Sequence, residues 1–208
     1  MPWFYYLLAI ILGYLIGSIP FGYLIGRARG IDITTLGSGR TGGTNVQRSL
    51  GMKFGLLSGL LDVFKGIAAV LLAGYLFSDA PGMIPGVAPA LAGAFAVVGH
   101  NWSIFLGFRG GAGGATGAGA LLALNPTAGL ILITIFVILM VVLRYASVAT
   151  LTIGIGSLLV LLLFYLVGWH TPLGHLLFGV IVAAAITWSL RPNIRRLISG
   201  NERRINFS

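Results

Sequence analysis

A polar stretch, GSGRTGGTNVQR, runs from Gly37 to Arg48 and contains the residue types that bind a phosphate. It combines small residues, hydroxyls, an amide and two guanidinium groups, contributed by Ser38, Gly39, Arg40, Thr44, Asn45 and Arg48. Hydroxyl and backbone N–H groups donate hydrogen bonds to phosphate oxygens, and arginine adds a planar bidentate fork. The alternative is a solvated loop in which Ser and Thr cap helices. We expect a phosphate-binding segment.

A second candidate is the glycine-rich run from Gly99 to Gly119, GHNWSIFLGFRGGAGGATGAG, which contains 8 glycines between apolar segments. Glycine allows a positive φ and a close approach of the backbone to a ligand. Successive N–H groups, here around Gly111 and Gly113, can then form an anion-binding nest beside Arg109, the only charged residue in the run. The alternative is a close-packing face, which is a common use of glycine in membrane helices.

The sequence lacks the patterns of several other chemistries. No lysine follows the first glycine stretch as a Walker loop requires, and the second run fails the last position of the Rossmann fingerprint. No histidine has an aspartate five residues later, no G-x-S-x-G occurs, and no His, Asp and Glu residues have metal-ligand spacing. We therefore predict no metal and no cofactor.

Asp62, Lys65 and His100 lie within apolar segments, where charges are costly and functional by default. Asp62 and Lys65 are three residues apart on one helix face and are expected to pair. A structural ion pair is the favoured interpretation over direct catalysis. His100, next to the glycine-rich run, is a candidate base, but a buried, hydrogen-bonded histidine is the commoner outcome.

Composition places these residues in a membrane protein. Of the 208 residues, 57% are hydrophobic and 8% are charged, whereas a soluble domain has about a quarter charged residues. A bilayer core requires roughly 20 apolar residues per helix. We predict an all-α fold in which seven transmembrane helices, some short or broken, cover about 3–25 (broken at 17–22), 55–77, 87–106, 116–124, 126–143, 147–167 and 173–190.

The basic residues orient these helices. With the N-terminus outside, 12 of the 13 Lys and Arg residues fall in the inside segments 26–54, 107–115, 144–146 and 191–208. Cytoplasmic loops carry this excess, so we predict a cytoplasmic C-terminus. The net charge of +9 then indicates a cytoplasmic face and an anionic substrate or membrane lipids, and no nucleic acid. No domain boundary is evident, so residues 1–208 are expected to form a single domain.

Taken together, the chain resembles the bacterial acyl-phosphate:glycerol-3-phosphate acyltransferases, small seven-helix membrane enzymes of phospholipid synthesis. The matching segments are GSIPFG at 17–22, GSGRTGGTNVQR at 37–48, DVFKG at 62–66, GHNWSIFLGFRGGAGGATG at 99–117, RYASVAT at 144–150 and NIRRLISGNERR at 193–204. They occur in the family's order over nearly the whole chain. Any one segment alone would be a weak signal.

The resemblance implies that the 1-hydroxyl of glycerol 3-phosphate attacks the carbonyl of a fatty acyl phosphate, giving lysophosphatidic acid and inorganic phosphate. It implies an enzyme of the bacterial cell (inner) membrane, with its site on the cytoplasmic side and no cofactor. The family's phosphate contacts would fall on Ser38, Arg48 and Asn193, with Thr44 and Asn45 shaping the same loop. Because acyl phosphate is already activated, the protein mainly has to hold two anions together.

Three positions depart from the family pattern. Ala112 stands where the family has a phosphate-binding lysine, Leu190 where it has a histidine, and Arg40 where it has asparagine. A charge-assisted hydrogen bond contributes about 1.5–3 kcal/mol, so an uncompensated loss would be severe. In one interpretation Arg40 restores the charge lost at Ala112. The alternatives are a divergent paralogue without this activity, or a small membrane transporter or lipid-binding protein.

Compensation by Arg40 makes a direct prediction. We expect Arg40→Asn to abolish acyl transfer, because it removes the replacement cation. Arg40→Lys should retain part of the activity, because it keeps the charge without the fork. Acyl transfer by the two purified variants checks this prediction, and equal activity of the two variants would contradict compensation by Arg40.

Overall fold

The computed structural model describes residues 2–206, in which every regular element is helical. Ten α-helices follow one another: α1 Pro2–Ser18, α2 Phe21–Ala28, α3 Gly43–Leu50, α4 Met52–Phe77, α5 Val87–Asn101, α6 Gly114–Leu124, α7 Pro126–Val142, α8 Ala146–Leu166, α9 Leu173–Ser189 and α10 Arg191–Ile198. Short 3-10 turns occupy Ile33–Thr35 and Ile104–Leu106. All seven predicted apolar segments are therefore helical over most of their length.

Three helices within residues 2–206 are long and apolar enough to cross a membrane: Pro2–Ala28, taken across its break, Met52–Phe77 and Ala146–Leu166. The bent pair α9 and α10, with 64° between its parts, would make a fourth span. The other apolar helices, α5, α6 and α7, have 15, 11 and 17 residues. The all-helical membrane fold is confirmed, while the count of seven spans stays a prediction.

One helix boundary differs from the predicted one at the site end of the bundle. The first helix is broken at Ile19 and Pro20, as expected, but the third predicted helix ends at Asn101 instead of Leu106. The residues Ile104–Leu106 are apolar and were therefore expected to continue the helix, but the chain turns away after Asn101. The buried Ser103 fixes this turn, since its Oγ donates to the carbonyl of Ser18 over 2.6 Å.

Close helix packing explains several of the glycines. Gly13 and Gly17 of α1 lie against Ala92 and Ala96 of α5, and a Cβ on Gly17 would come within 2.0 Å of the Ala96 carbonyl oxygen. This small-residue spacing allows backbones to approach closely in membrane bundles. Helix α5 also packs on α4, α6 and α9, so it forms the centre of the bundle. The end of α5 is thereby held in place beside the glycine-rich run.

Two short helices, α3 and α10, were not among the predicted elements, and they carry much of the polar sequence. Beyond α10 the tail folds back across the same end of the bundle. The buried Ile205 donates its N–H to the Arg144 carbonyl over 2.7 Å, and the Asn206 carbonyl accepts from Gln47 Nε2 over 3.2 Å. We call this end, formed by residues 29–50, 102–113 and 189–206, the basic end.

Candidate phosphate-binding site

The basic end contains a pocket of about 190 Å³. Its lining brings together residues that are distant in sequence, namely Gly37, Ser38, Arg40, Arg48, Pro192, Asn193, Arg196, Glu202 and Arg203. Four of the predicted site residues, Ser38, Arg40, Arg48 and Asn193, thus share one cavity. Four arginines against one glutamate make it a candidate anion site.

Asn45 has a supporting position beneath this pocket. It is 2% exposed, and its Nδ2 contacts the carbonyls of Ile33, Leu36 and Arg40 at 2.8–3.1 Å. Its Oδ1 accepts the N–H of Ser38 over 2.9 Å. Residue type made Asn45 a candidate phosphate ligand, and the family resemblance gave it a role in shaping the loop. Because its polar atoms are engaged by the loop, its contacts fit the second role, that of shaping the turn that presents Ser38.

Two other predicted residues of this segment, Gly39 and Thr44, do not line the pocket. Thr44 lies in the first turn of α3, because the predicted binding loop becomes helical from Gly43 onward. Gly39 has φ +69°, a left-handed conformation that favours glycine, so it serves the turn between Ser38 and Arg40.

Arg40 joins this segment to the junction of α9 and α10. Its Nη2 donates to the Ser189 carbonyl over 2.6 Å and to Asn193 Oδ1 over 3.2 Å, and its Nη1 donates to Ser189 Oγ over 3.3 Å. Ser189 Oγ in turn contacts the Gly111 carbonyl over 3.2 Å. Arg40 therefore bonds directly to Ser189, the neighbour of Leu190, and is linked through Ser189 to Gly111, the neighbour of Ala112.

A single carboxylate organises the arginine-rich wall. Glu202 accepts hydrogen bonds from Ser147 Oγ (3.0 Å), Asn193 Nδ2 (2.7 Å) and Arg196 Nε (2.9 Å). Asn193, bound to Glu202 on one side and Arg40 on the other, is fixed in orientation. The amide predicted to contact phosphate thus also links the tail to Arg40.

Electrostatics in the pocket favour a bound anion. Burial is the main cause that lowers the pKa of Arg40 and of Arg48, with further lowering by Arg196 and Arg203, while Glu202 acts in the opposite direction. Arginine remains protonated near neutral pH despite such shifts. Partly desolvated cations of like charge repel one another, so an incoming phosphate relieves an unfavourable arrangement.

The glycine-rich run lies beside this pocket without lining it. Gly110 accepts the Thr41 N–H over 3.4 Å, and Gly111 is linked to Arg40 through Ser189. Gly113 has φ +82° and immediately precedes α6. The first N–H groups of a helix lack intrahelical acceptors, so this turn is a second candidate for anion binding.

Arg109, predicted to bind phosphate within the glycine-rich run, is exposed and does not line the pocket. It acts electrostatically on Asp32, whose pKa is lowered mainly by hydrogen bonds from Thr34, with a smaller contribution from Arg109. A direct contact of Arg109 with a ligand in the 190 Å³ pocket is therefore not supported by its position.

The three buried ionisable residues form one cluster behind the glycine-rich run. Lys65 Nζ lies 2.8 Å from Asp62 Oδ1 and donates to the Ile19 carbonyl over 2.9 Å. His100 Nδ1 lies 3.4 Å from the same Asp62 oxygen. Each residue is at most 6% exposed. The predicted Asp62–Lys65 pair is present, and His100 is buried beside it.

Sequence reasoning missed four contributors to the site, namely Ser189, Arg196, Glu202 and Arg203. Arg203, for example, donates to the Gly37 carbonyl over 2.8 Å. One signal could have identified Glu202, because it is one of only 4 acidic residues in the chain and lies among arginines. Nothing local predicts that the tail folds back to reach residue 37.

We expect Glu202→Ala to lower the affinity for a phosphorylated substrate. Removing the carboxylate leaves Arg196 and Asn193 without their shared acceptor, so the wall that faces Arg48 loses its order. Truncating one partner of such a network costs about 1–3 kcal/mol, or roughly 5- to 150-fold in KM. Steady-state kinetics of the purified variant measures the change. Asp79→Ala, an exposed carboxylate between α4 and α5, is the control and should behave as wild type.

Known proteins are similar to this chain over nearly its whole length. A model of the glycerol-3-phosphate acyltransferase family matches residues 7–200. The glycerol-3-phosphate acyltransferase of Rubrobacter xylanophilus is 42% identical over 197 residues, covering 95% of this chain and 94% of the relative. That of Clostridioides difficile is 37% identical over 210 residues, covering 99% and 98%.

Solved structures agree with these relatives. The crystal structure of PlsY (YgiH), an integral membrane glycerol 3-phosphate acyltransferase, in its glycerol 3-phosphate form is 34% identical, covers 97% of this chain and 96% of that chain, and superposes with a TM-score of 0.83. The lysophosphatidic acid form of PlsY is 33% identical, with the same coverage and a TM-score of 0.81.

Proposed function

Because this chain belongs to the glycerol-3-phosphate acyltransferase family, we propose that it transfers a fatty acyl group from acyl phosphate to the 1-hydroxyl of glycerol 3-phosphate. The product is lysophosphatidic acid, the first acylated intermediate on the way to a phospholipid. The observation that carries the proposal is the arginine-lined pocket of about 190 Å³, which joins Ser38, Arg48 and Asn193.

The reaction needs no external reagent. A bond forms between the 1-oxygen of glycerol 3-phosphate and the acyl carbonyl carbon, the carbonyl–phosphate C–O bond breaks, and the hydroxyl proton leaves with inorganic phosphate. Phosphate is a good leaving group, so the protein contributes mainly by aligning the reactants and neutralising their charge. The concentration of arginines in the pocket suits this task.

We place the phosphate of glycerol 3-phosphate in the pocket. A phosphate monoester carries about −1.5 to −2 charge at neutral pH, which suits a wall of four arginines offset by Glu202. The volume is below the roughly 300–1,000 Å³ of sites for drug-sized molecules, so it suits a small polar substrate. Ser38 and Arg48 then bind the phosphate, and Asn193 orients the groups around it.

Arg40 replaces the missing cation in this proposal. Its guanidinium contacts Ser189 and Asn193, one residue before and three residues after Leu190, and it reaches Gly111 through Ser189. A long, forked side chain from residue 40 can therefore supply charge near Ala112. A lysine keeps the charge but lacks the planar fork with which Arg40 makes these hydrogen bonds, which agrees with the partial activity expected for Arg40→Lys.

The acyl phosphate is proposed to bind at the neighbouring glycine-rich turn. Its phosphate would accept N–H groups from residues 112–114 at the start of α6, where the helix dipole favours an anion. Its acyl chain would remain among the apolar helix surfaces, since the pocket is too small and too polar to contain it. The carbonyl would then meet glycerol 3-phosphate between the two phosphate sites.

An acyl-transfer assay tests the function. Purified wild-type protein in detergent, given palmitoyl phosphate and labelled glycerol 3-phosphate, should produce labelled lysophosphatidic acid and one equivalent of inorganic phosphate. Arg48→Ala should reduce kcat/KM by about 10- to 200-fold, because a charge-assisted hydrogen bond to phosphate contributes about 1.5–3 kcal/mol. Arg195→Ala, an exposed arginine outside the pocket, should leave the rate unchanged.

The outcome also separates the alternatives. A well-folded wild-type protein that makes no lysophosphatidic acid from acyl phosphate would indicate a paralogue without this activity. Flux of labelled glycerol 3-phosphate into proteoliposomes without acylation would indicate transport. Membership of the family favours acyl transfer over both.

We further propose that residues 1–208 form one domain with seven spans in the cell membrane of a bacterium, with the basic end in the cytoplasm. The orientation follows from the distribution of Lys and Arg. The exposed Lys53 lies at the start of helix α4 and the exposed Asp79 lies just beyond its end, and the chain contains no cysteine. In intact cells a membrane-impermeant maleimide should label Asp79→Cys but reach Lys53→Cys only after permeabilisation. The reverse pattern would contradict the orientation.

A further inference from the structure

We propose that His100 is a positioning residue for acyl transfer: its imidazole, oriented by Asp62, supports Gly111 from behind and so sets the position of the glycine-rich turn. The inference rests on the proposed function, because it assumes that this turn binds the acyl phosphate. It gives the buried cluster of α4 and α5 a role in the reaction geometry.

The imidazole is held in one orientation. His100 is 6% exposed, and its Nδ1 lies 3.4 Å from Oδ1 of Asp62, which is itself 1% exposed. A carboxylate at Nδ1 fixes the ring and leaves Nε2 on the opposite edge. Lys65, bound to the same Asp62 oxygen over 2.8 Å, balances the buried negative charge.

The free edge of the ring faces Gly111. A Cβ built on Gly111 would lie 1.9 Å from His100 Nε2, so only glycine fits against the ring without a shift. Gly111 is also held through its backbone, since its N–H donates to the His100 carbonyl over 2.9 Å and its carbonyl accepts from Ser189 Oγ over 3.2 Å. The residue is therefore fixed on three sides, immediately before the turn that begins α6.

The structure favours His100 as a support. A general base must lie within hydrogen-bond reach of the proton that it removes. The ring is 6% exposed, its Nε2 edge lies against Gly111, and it does not line the 190 Å³ pocket. Its contribution is geometric, because a misplacement of about 1 Å between reacting groups can cost about 100-fold in rate.

The same carboxylate connects the other half of the site. Lys65, paired with Asp62, donates to the carbonyl of Ile19 at the break between α1 and α2. That break is adjacent to α2, which leads into the segment of Ser38 and Arg40. Asp62 thus ties the glycine-rich turn, through His100, to the chain that leads to the arginine pocket.

A steric double-mutant cycle tests the proposal. We expect Gly111→Ala to lower kcat by about 100-fold, because the new methyl group displaces the turn from the ring. His100→Asn keeps an amide donor near the Nδ1 position and removes the Nε2 edge. It should lower kcat by about 10-fold and leave the KM for glycerol 3-phosphate unchanged, since the arginine pocket is not disturbed. In the double variant the methyl group fills the vacated space, so kcat should exceed that of Gly111→Ala by about 10-fold.

The chain offers a matched control one residue earlier. A Cβ on Gly110 would come within 2.1 Å of the His100 carbonyl oxygen, a backbone atom that His100→Asn leaves in place. Gly110→Ala should therefore be impaired and should gain nothing from His100→Asn. Equal rescue of both alanine variants, or no rescue of Gly111→Ala, would overturn the proposal, as would a His100→Asn enzyme with wild-type kcat.

Failure of the proposed function and failure of the role of His100 give different results. Wild-type protein that fails to acylate glycerol 3-phosphate refutes the proposed function itself, whereas an active wild type with an unaffected His100→Asn variant refutes only the role of His100. If Gly111→Ala does not yield folded protein, His100→Asn alone decides. A loss confined to kcat, at an unchanged thermal midpoint in detergent, supports positioning, and a parallel rise in KM or fall in midpoint overturns it.

Discussion

A buried charge in an apolar helix must be paired, and in this molecule that requirement links the elements of the site. Asp62 and Lys65 lie in α4 at most 4% exposed, where an isolated charge would be prohibitively costly. Their partners come from elsewhere in the chain: the Ile19 carbonyl at the first helix break and His100 at the end of α5. The contacts of this one ion pair therefore link two places where helices are interrupted, the break after α1 and the end of α5.

The interruptions are themselves the functional parts. Irregular backbone that is buried needs hydrogen-bond partners for its N–H and carbonyl groups. Ser103 Oγ donates to the Ser18 carbonyl. The N–H of Gly111 donates to the His100 carbonyl, and the N–H of Thr41 donates to the Gly110 carbonyl. Polar groups at one interruption are therefore satisfied by another. The site is assembled from places where a helix stops, and the uninterrupted spans serve mainly to hold those places together.

Much of this was accessible from the sequence, and the reasons are physical. Apolar runs predicted the helices because hydrophobic length is a direct requirement of the bilayer, and spacing of three predicted the Asp62–Lys65 pair. Residue types and the family resemblance selected Ser38, Arg40, Arg48 and Asn193, which share a pocket. For the glycine-rich run around Gly111, the sequence left two interpretations open, ligand binding and helix packing. Gly99 and Gly119 prove to be packing positions, with carbonyls of neighbouring helices 2.1–2.2 Å from a built Cβ, while Gly113 has the positive φ of a turn.

What was missed depends on contacts between distant parts of the chain. The third helix was predicted too long because Ile104–Leu106 is apolar, and only the bond between Ser103 and Ser18 shows why the chain turns. For Asn45 the amide type indicated a phosphate contact and the family resemblance a role in shaping the loop, and the choice between them depends on its three carbonyl acceptors, which are set by the fold of the loop. Glu202 and Arg203 gave little local signal, since their roles require the tail to return to Ser147 and Gly37.

The tight seam between α1 and α5 has a consequence for the natural variation of this protein. At Gly13 and Gly17 even a methyl group would meet main-chain atoms, which have no alternative rotamer with which to yield. The same pair of helices carries Ser18 and His100. A larger side chain at Gly13 or Gly17 would therefore separate the two helices and displace the turn several residues away. A saturation library should therefore find these buried positions, remote from the candidate site, among the least permissive to replacement.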